Sequence, residues 1–397
     1  MADSFYSRRN GAIDMFRGLT MFLMVFVNDF WTVEGVPHFL EHTETLEDGM
    51  GLADIVFPMF LFAMGMSIPY AIERRFAKGI PGEKTLGHIL SRTFALLVMG
   101  VFLVNANGRM APLFGCGDWL FSLLAIIGFF LVWNAYPEGF KAGKWLRWAG
   151  IGLLVFLAVT YRTQKGGYMS ARRWGILGMI GWAYLFAATA WLLCRKRPGL
   201  LSVLWLGLIG LNLLVTPMRD ESMLLDTPNL LNDFARALHL DNGASALMAL
   251  GGVLVVIQER NFSRESVGRR LLYALLAAGT IVCIATAAHE DWIISKNIGT
   301  LPWCLYVTAL SMVLYTLLRI LEEKGWTGWF KAIAPAGTAT LTVYLLPDVY
   351  YAVAEALGIS SPDWLVAPLG LVKCLLFAFL CIGTAWALGK VNIKLKI

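Results

Sequence analysis

The chain has 397 residues, of which 58% are hydrophobic and only 15% are charged, and its formal net charge is +6. Soluble globular domains carry about 25% charged residues, so this composition excludes a water-soluble protein. The basic residues lie in short segments between apolar runs and not in a soluble module with interleaved aromatics, which argues against nucleic-acid binding.

Apolar runs of the length that crosses a bilayer recur along the whole chain. A transmembrane helix needs about 20 mostly apolar residues. The runs are continuous and do not alternate with polar residues in segments of about ten, which favours helices over a β-barrel. We predict an all-α polytopic integral membrane protein with about twelve spans, near residues 17–34, 52–72, 86–104, 119–135, 146–161, 175–194, 200–217, 244–258, 270–288, 301–320, 336–356 and 364–388.

The basic residues predict the orientation of these spans. Lysines and arginines cluster at 74–78, 195–197, 260–270 and 390–396. The positive-inside rule places these clusters, and with them both termini, in the cytoplasm. One further basic loop, 162–173, falls on the opposite side and does not fit this pattern.

No soluble domain or low-complexity linker interrupts the membrane pattern, so we predict a single domain over 1–397 with a signature hairpin at 13–72. The six cysteines have no paired spacing, which indicates neither a disulfide framework nor a metal site. The long acidic loop 218–243 is partly amphipathic. Such a segment is suited to lie on the membrane surface or to cover a site.

The hairpin between the first two spans holds the most informative polar residues. Asn28 and Asp29 end the first span, His42 lies in an acidic loop, and Asp54 opens the second span. Ionisable groups at a membrane boundary indicate a function, and a histidine beside carboxylates is typical of proton or acyl transfer. A solvated acidic loop also explains His42, and His38 has the same surroundings. Asp54 is equally explained as an N-terminal helix cap.

A second polar cluster lies at 289–297, in a loop that the predicted topology places on the same membrane face as the hairpin loop. Two clusters that converge on one face predict a site in which Lys296 and Asn297 contact substrate. Extension of Lys296 to the membrane interface is the alternative. Further along the chain, Lys373 in the last span is a candidate partner for Asp348.

Several of these residues belong to a recognisable pattern. It comprises Ile13-Asp14-Met15-Phe16-Arg17-Gly18, Met24-Val25-Phe26-Val27-Asn28, His42, Ala53-Asp54-Ile55-Val56-Phe57-Pro58, Ser91-Arg92-Thr93-Phe94 and Ser295-Lys296-Asn297. The pattern resembles the heparan-α-glucosaminide N-acetyltransferase family. Members are multi-pass membrane enzymes that use cytosolic acetyl-CoA to acetylate an amino sugar across the bilayer.

The resemblance implies roles for individual residues. His42 would be the catalytic histidine and Asn28 its partner at the acetyl group, while the guanidinium groups of Arg17 and Arg92 would pair with coenzyme A phosphates. The implied substrate contacts are Asp29, Asp54, Lys296 and Asn297. Acetyl-CoA would be the donor and an amino sugar or glycan the acceptor, without a metal. The resemblance also implies a homodimer, and we expect a bacterial inner membrane with His42 toward the periplasm.

Other readings stay open at this point. The histidine either takes the acetyl group itself or deprotonates the acceptor, and the sequence does not choose between these routes. An acceptor hydroxyl in place of an amine is a variant. A solute transporter or channel would use the same polar residues to line a path, and a non-catalytic membrane partner would tolerate the loss of His42.

Overall fold

The computed structural model describes residues 4–7, 9–106, 110–171, 174–219, 236, 239–362 and 364–397. Within these residues the chain is all-α, with isolated β-bridges but no strand. The predicted fold class is therefore confirmed. Two predicted features fall largely or partly outside the described residues: most of the 218–243 loop, and Arg172 and Arg173 of the basic loop 162–173.

Twelve helices of at least 16 residues are present in the described part of the chain. They are α1 Gly11–Asn28, α2 Leu52–Ala77, α3 Gly82–Ala106, α4 Asp118–Trp133, α5 Ala142–Thr160, α6 Gly175–Cys194, α7 Gly199–Val215, α8 Ala244–Asn261, α9 Val267–His289, α10 Leu301–Glu323, α11 Thr340–Ala356 and α12 Leu369–Lys390. Short helical turns at Phe30–Thr32 and His38–Leu40 lie in the loop between α1 and α2.

Eight of these helices are long and apolar enough to cross a membrane: α1, α2, α3, α5, α6, α9, α10 and α12. Two more, α4 and α7, are apolar but only 16 and 17 residues long. The protein is thus an integral membrane protein. The total of twelve spans and the cytoplasmic position of both termini stay predictions.

Helix α1 begins earlier and ends earlier than the predicted span 17–34, because its ends are set by polar contacts as well as by apolarity. The backbone N–H groups of Gly11 and Ala12 donate to the carboxylate of Glu322 on α10, at 2.7 and 3.1 Å. This carboxylate satisfies donors that a helix N-terminus otherwise leaves free. At the other end, the helix stops at Asn28 and a short 3₁₀ turn follows.

The chain divides into two compact units whose segments alternate along the sequence. The first comprises Met1–Thr20, Pro37–Leu90 and Trp182–Ala332, and the second comprises Met21–Val36, Ser91–Gly181 and Ile333–Ile397. The expected single functional domain stays a prediction.

The first unit is centred on a close crossing of α2 and α8. A Cβ added to Gly65 would lie 1.8 Å from the carbonyl oxygen of Ala249, and one added to Gly252 would lie 2.1 Å from that of Phe62. Only glycine allows the two backbones to approach this closely, as in many membrane helix pairs. The crossing fixes the position of α2, whose first turn carries Asp54.

In the second unit, α4 packs against α5 with another glycine at the contact. A Cβ at Gly128 would lie 2.7 Å from the side chain of Leu154. The ring of Phe121 on α4 stacks on Phe102 of α3, with centroids 6.0 Å apart. Aromatic and glycine contacts of this kind order a membrane core in which lipid and side chains are equally apolar.

Candidate active site

The buried carboxylate of Asp54, in the first turn of α2, binds the loop that follows α1 through hydrogen bonds. Oδ2 of Asp54 accepts hydrogen bonds from the backbone N–H groups of Thr43 and Gly51, at 3.0 and 3.1 Å, and from the Thr43 hydroxyl at 3.0 Å. The side chain of Asp54 is 0% exposed. Helix capping therefore does explain one oxygen of Asp54, and it leaves the other oxygen for a different partner.

That partner is His42. Its Nδ1 lies 2.7 Å from Oδ1 of Asp54, while the side chain remains 48% exposed. Because three donors already surround Oδ2, the carboxylate is an acceptor, and Nδ1–H of the imidazole donates to it. This tautomer leaves a lone pair on Nε2. The structure thus places a fixed, half-exposed imidazole at the end of a membrane helix.

Lys296 completes this group. Its Nζ lies 3.0 Å from Nδ1 and 3.5 Å from Nε2 of His42, and 3.7 Å from Oδ1 of Asp54. Since Nδ1 carries a proton toward Asp54, the lysine lies beside the ring and forms its ion pair with the carboxylate. Burial lowers the pKa of Lys296, although the negative charge of Asp54 opposes this effect. With a side chain only 23% exposed, Lys296 does not extend into solvent.

Residues on either side of Lys296 join its loop to the loop of His42. Asn297 Nδ2 donates to the carbonyl oxygen of Thr43 at 3.1 Å, and Ser295 Oγ donates to that of Thr45 at 3.0 Å. The two polar clusters singled out in the sequence therefore lie together. Asn297 is engaged with the backbone, and its predicted contact with substrate stays a prediction.

A second histidine–aspartate pair, His289 and Asp48, also joins the 289–297 loop to the loop that carries His42. Asp48 contacts His289 Nε2 at 2.8 Å and Arg219 at 2.7 Å, and it accepts the backbone N–H of Ile294 at 2.8 Å. Burial alone would raise the pKa of Asp48, but the hydrogen bonds from Ile294 and His289 and the nearby positive charges hold it below its usual value.

Sequence reasoning did not single out Arg219. Its backbone N–H also donates to the carbonyl oxygen of Asp291 at 2.8 Å, so it fastens the start of the long 218–243 loop beside the site. Nothing in its local sequence distinguishes it from other arginines near span ends. Its partners become evident only when the loops are folded.

Asp29 has a different environment in the second unit. Oδ2 accepts a hydrogen bond from Lys373 at 2.7 Å and Oδ1 accepts one from Tyr351 at 2.8 Å, while Lys373 also donates to Thr32 at 2.8 Å. Lys373 thus pairs with Asp29 and not with Asp348, its candidate partner in the sequence. The expected role of Asp29 in substrate binding stays a prediction.

The remaining predicted residues are Asn28, Arg17 and Arg92. Asn28 is exposed as the last residue of α1, in the second unit, whereas His42 belongs to the first. Arg17 pairs with Asp14 at 2.8 Å on α1, and Arg92 is half-buried on α3. Their roles at the donor stay predictions. Among the described residues, no group of three or more His, Cys, Asp and Glu side chains could hold a metal ion.

The apolar helices define the chain as a polytopic α-helical membrane protein. A histidine–aspartate–lysine group lies at the start of its helix α2. The model of a family described as "Domain of unknown function (DUF5009)" matches residues 9–218, more than half of the chain, and the protein belongs to this family.

Two curated proteins are also similar to the chain. The heparan-alpha-glucosaminide N-acetyltransferase of Mus musculus is 27% identical over 367 residues, which cover 81% of this chain and 51% of that protein. The protein of the same name from Homo sapiens is 35% identical over 106 residues, covering 26% of this chain and 15% of the human protein. The resemblance predicted from the sequence is confirmed. The chain spans about half the length, or less, of these curated relatives.

Proposed function

We propose that the protein is a membrane-embedded acyltransferase that moves an acetyl group from cytosolic acetyl-CoA to an amino sugar or glycan on the outer side of the membrane. The observation that carries this proposal is the half-exposed His42 imidazole, with Nδ1 held by buried Asp54 and Nε2 turned away from the carboxylate and 3.5 Å from the amine of Lys296. The similarity to proteins named N-acetyltransferases supports the reaction type.

Two routes use the same imidazole. As a general base, Nε2 takes a proton from the acceptor amine while that amine attacks the thioester carbon, the C–S bond breaks and coenzyme A leaves as the thiolate. As a nucleophile, Nε2 first forms a bond to the acetyl carbon while the C–S bond breaks and coenzyme A leaves as the thiolate. The acceptor amine then attacks the same carbon, the C–N bond to Nε2 breaks, and the proton of the amine passes to the released imidazole. In both routes Asp54 orients the ring and stabilises the positive charge that it acquires.

The other predicted residues take supporting roles in this proposal. Asn28 would bind the acetyl carbonyl oxygen and Arg17 and Arg92 the phosphates of the donor, roles that rest on the resemblance alone. Lys296 and Asn297 adjoin His42 and would face the acceptor. Asp54 is 0% exposed, so it would act through the side chain of His42. Asp29 is also 0% exposed and would support substrate binding only indirectly, by holding Lys373 and Tyr351 in place.

The proposed arrangement in the cell follows from the charge pattern. Twelve spans with both termini in the cytoplasm put the His42 loop on the outer face of a bacterial inner membrane. Acetyl-CoA would enter from the opposite face. A homodimer is the assembly that the resemblance implies.

Purified protein in proteoliposomes tests the proposal, with acetyl-CoA on one side and glucosamine on the other. We expect N-acetylglucosamine to form with the wild type and to fall to background with His42→Ala, while acetyl-CoA still stabilises the variant against heat. His38→Ala is the matched control, because exposed His38 lies in the same loop but pairs with half-buried Glu47 at 2.8 Å. Accumulation of unmodified glucosamine without any need for acetyl-CoA would instead identify a transporter.

A further inference from the structure

An amine already lies beside the proposed catalytic imidazole. Lys296 Nζ is 3.0 and 3.5 Å from the two ring nitrogens of His42. An acetyl carbon bonded to Nε2 is one bond from that nitrogen, so it would lie a few ångströms from Nζ, near the separation of about 3–3.5 Å from which attack occurs. An acetyl group carried by Nε2, or presented to it on a thioester, would therefore lie within reach of this lysine.

The position of this amine is fixed by its neighbours. Ser295 is 0% exposed and donates to the carbonyl oxygen of Thr45, and Asn297 donates to that of Thr43. The lysine backbone is thus attached on both sides to the loop that carries His42. Its side chain is 23% exposed and packs toward Asp54. A lysine held in this way differs from a freely moving surface lysine.

We propose that Lys296 is an intramolecular acetyl acceptor, so that the protein acetylates its own Lys296 when acetyl-CoA is bound and no external acceptor is present. This inference rests on the proposed function of His42. It assigns a covalent modification site, N-acetyl-lysine, to a residue that the transfer reaction itself does not need to modify.

The chemistry balances with acetyl-CoA as the co-reactant. The neutral Nζ attacks the acetyl carbon, a C–N amide bond forms, and either the C–S bond of the thioester or the C–N bond to His42 Nε2 breaks. The proton lost from Nζ goes to the imidazole or the thiolate, so the products are acetyl-lysine and coenzyme A. Burial lowers the pKa of Lys296, which increases the fraction of neutral amine.

Acetylation of Lys296 would switch the site off. It removes the positive charge that faces Asp54 at 3.7 Å and places an acyl group beside His42. An amide also holds the acetyl group permanently, whereas a thioester or acetyl-imidazole releases it. The modification would therefore limit consumption of acetyl-CoA when acceptor is scarce, and acceptor amines would protect against it by competing for the same acetyl group.

Mass spectrometry of digested protein tests the inference. Wild-type protein is incubated with isotope-labelled acetyl-CoA and no acceptor, and label at Lys296 is compared with label at the exposed Lys84 and Lys331, which report non-enzymatic acetylation. We expect at least about ten-fold more label at Lys296. Glucosamine and the His42→Ala variant should both reduce it to the level of the two reference lysines.

A second measurement separates this inference from the function on which it rests. Pre-incubation with acetyl-CoA alone should cause a time-dependent loss of transferase activity in the wild type but not in Lys296→Arg, compared as the fraction of each protein's own starting rate. Transfer to glucosamine with Lys296 labelled no more than Lys84 and Lys331 would overturn the inference and leave the function intact. No turnover of acetyl-CoA at all would overturn both.

Discussion

Asp29 and Asp54 are two fully buried carboxylates in or beside the first hairpin, and they have different partners. Asp29 binds Lys373 at 2.7 Å and the hydroxyl of Tyr351 at 2.8 Å. Asp54 makes its shortest contact, also 2.7 Å, with the half-exposed imidazole of His42. The sequence predicts substrate contacts for both aspartates. In the structure, Asp29 belongs to the second unit and Asp54 to the first.

The difference teaches that a buried carboxylate is not in itself evidence of a reaction centre. The carboxylate of Asp29 is bound by an ammonium and a phenol and has no imidazole beside it, so this cluster holds helices together. An imidazole exchanges protons near neutral pH and offers a second nitrogen for chemistry. Partner chemistry, more than burial, therefore distinguishes a candidate active site from a structural ion pair.

The largest expected effect that separates the two aspartates is that of Asp54→Asn. The amide can pair with either tautomer of His42, because it offers both a donor and an acceptor. The tautomer with a lone pair on Nε2, which both proposed routes need, is then no longer selected. We expect the rate of acetyl transfer to fall about 10²- to 10⁴-fold. Steady-state rates measured with acetyl-CoA and glucosamine check this, with the folded fraction measured by size-exclusion chromatography. An Asp54→Asn protein that keeps more than half of the wild-type rate would contradict the proposed role of Asp54 in orienting His42.

Asp29→Asn should show the opposite behaviour. Removing one partner of a buried ion pair leaves Lys373 without its counter-charge, which costs about 3–5 kcal/mol of stability. We expect a lower thermal midpoint in detergent, with the rate per folded molecule kept within about two-fold. The double variant Asp29→Asn with Lys373→Met should recover much of the midpoint, because no charge is then left unpaired. Loss of transfer without loss of stability would instead place Asp29 in the reaction.

A smaller effect is expected for Asn297→Ala. The variant removes the hydrogen bond to the carbonyl oxygen of Thr43, a contact worth about 1 kcal/mol. The loop of Lys296 should then be held less firmly against that of His42. We expect kcat to fall about five-fold, with a smaller change in the KM for acetyl-CoA. An increase in that KM with unchanged kcat would assign Asn297 to donor binding.

The smallest effect concerns acid stability. The pKa of Asp48 is held below its usual value of 3.8. Its contribution to stability is therefore present above pH 4 and is lost as the pH falls through the folded-state pKa. Because the pair is partly exposed, we expect no more than about 1 kcal/mol. The gap in thermal midpoint between wild type and Asp48→Asn should close below about pH 4. A gap that widens in acid would contradict this assignment.

Part of this organisation could be predicted from the sequence. Hydropathy alone gave the helical class, and the predicted topology brought the 289–297 loop to the face of His42. The helical class and the contact between the two loops are confirmed, because apolarity and connectivity determine which helix ends can meet. The membrane topology itself stays a prediction.

The rest depends on packing between distant segments. The Asp29–Lys373 pair joins residues that are 344 positions apart, and the contact between Glu322 and the start of α1 joins residues 311 apart. No local pattern encodes such partners. The predicted span 244–258 corresponds to helix α8, and its close glycine crossing with α2 is a further contact that no local pattern predicts.

Chemical rescue tests the central claim most directly. The measurement is acetyl transfer from acetyl-CoA to glucosamine by purified His42→Ala, with and without added imidazole, beside Asp29→Asn as a control. We predict an inactive variant that still binds acetyl-CoA and regains part of its rate with imidazole, and no effect of imidazole on Asp29→Asn. A His42→Ala protein that transfers acetyl at the wild-type rate would contradict the assignment of His42 as the catalytic group.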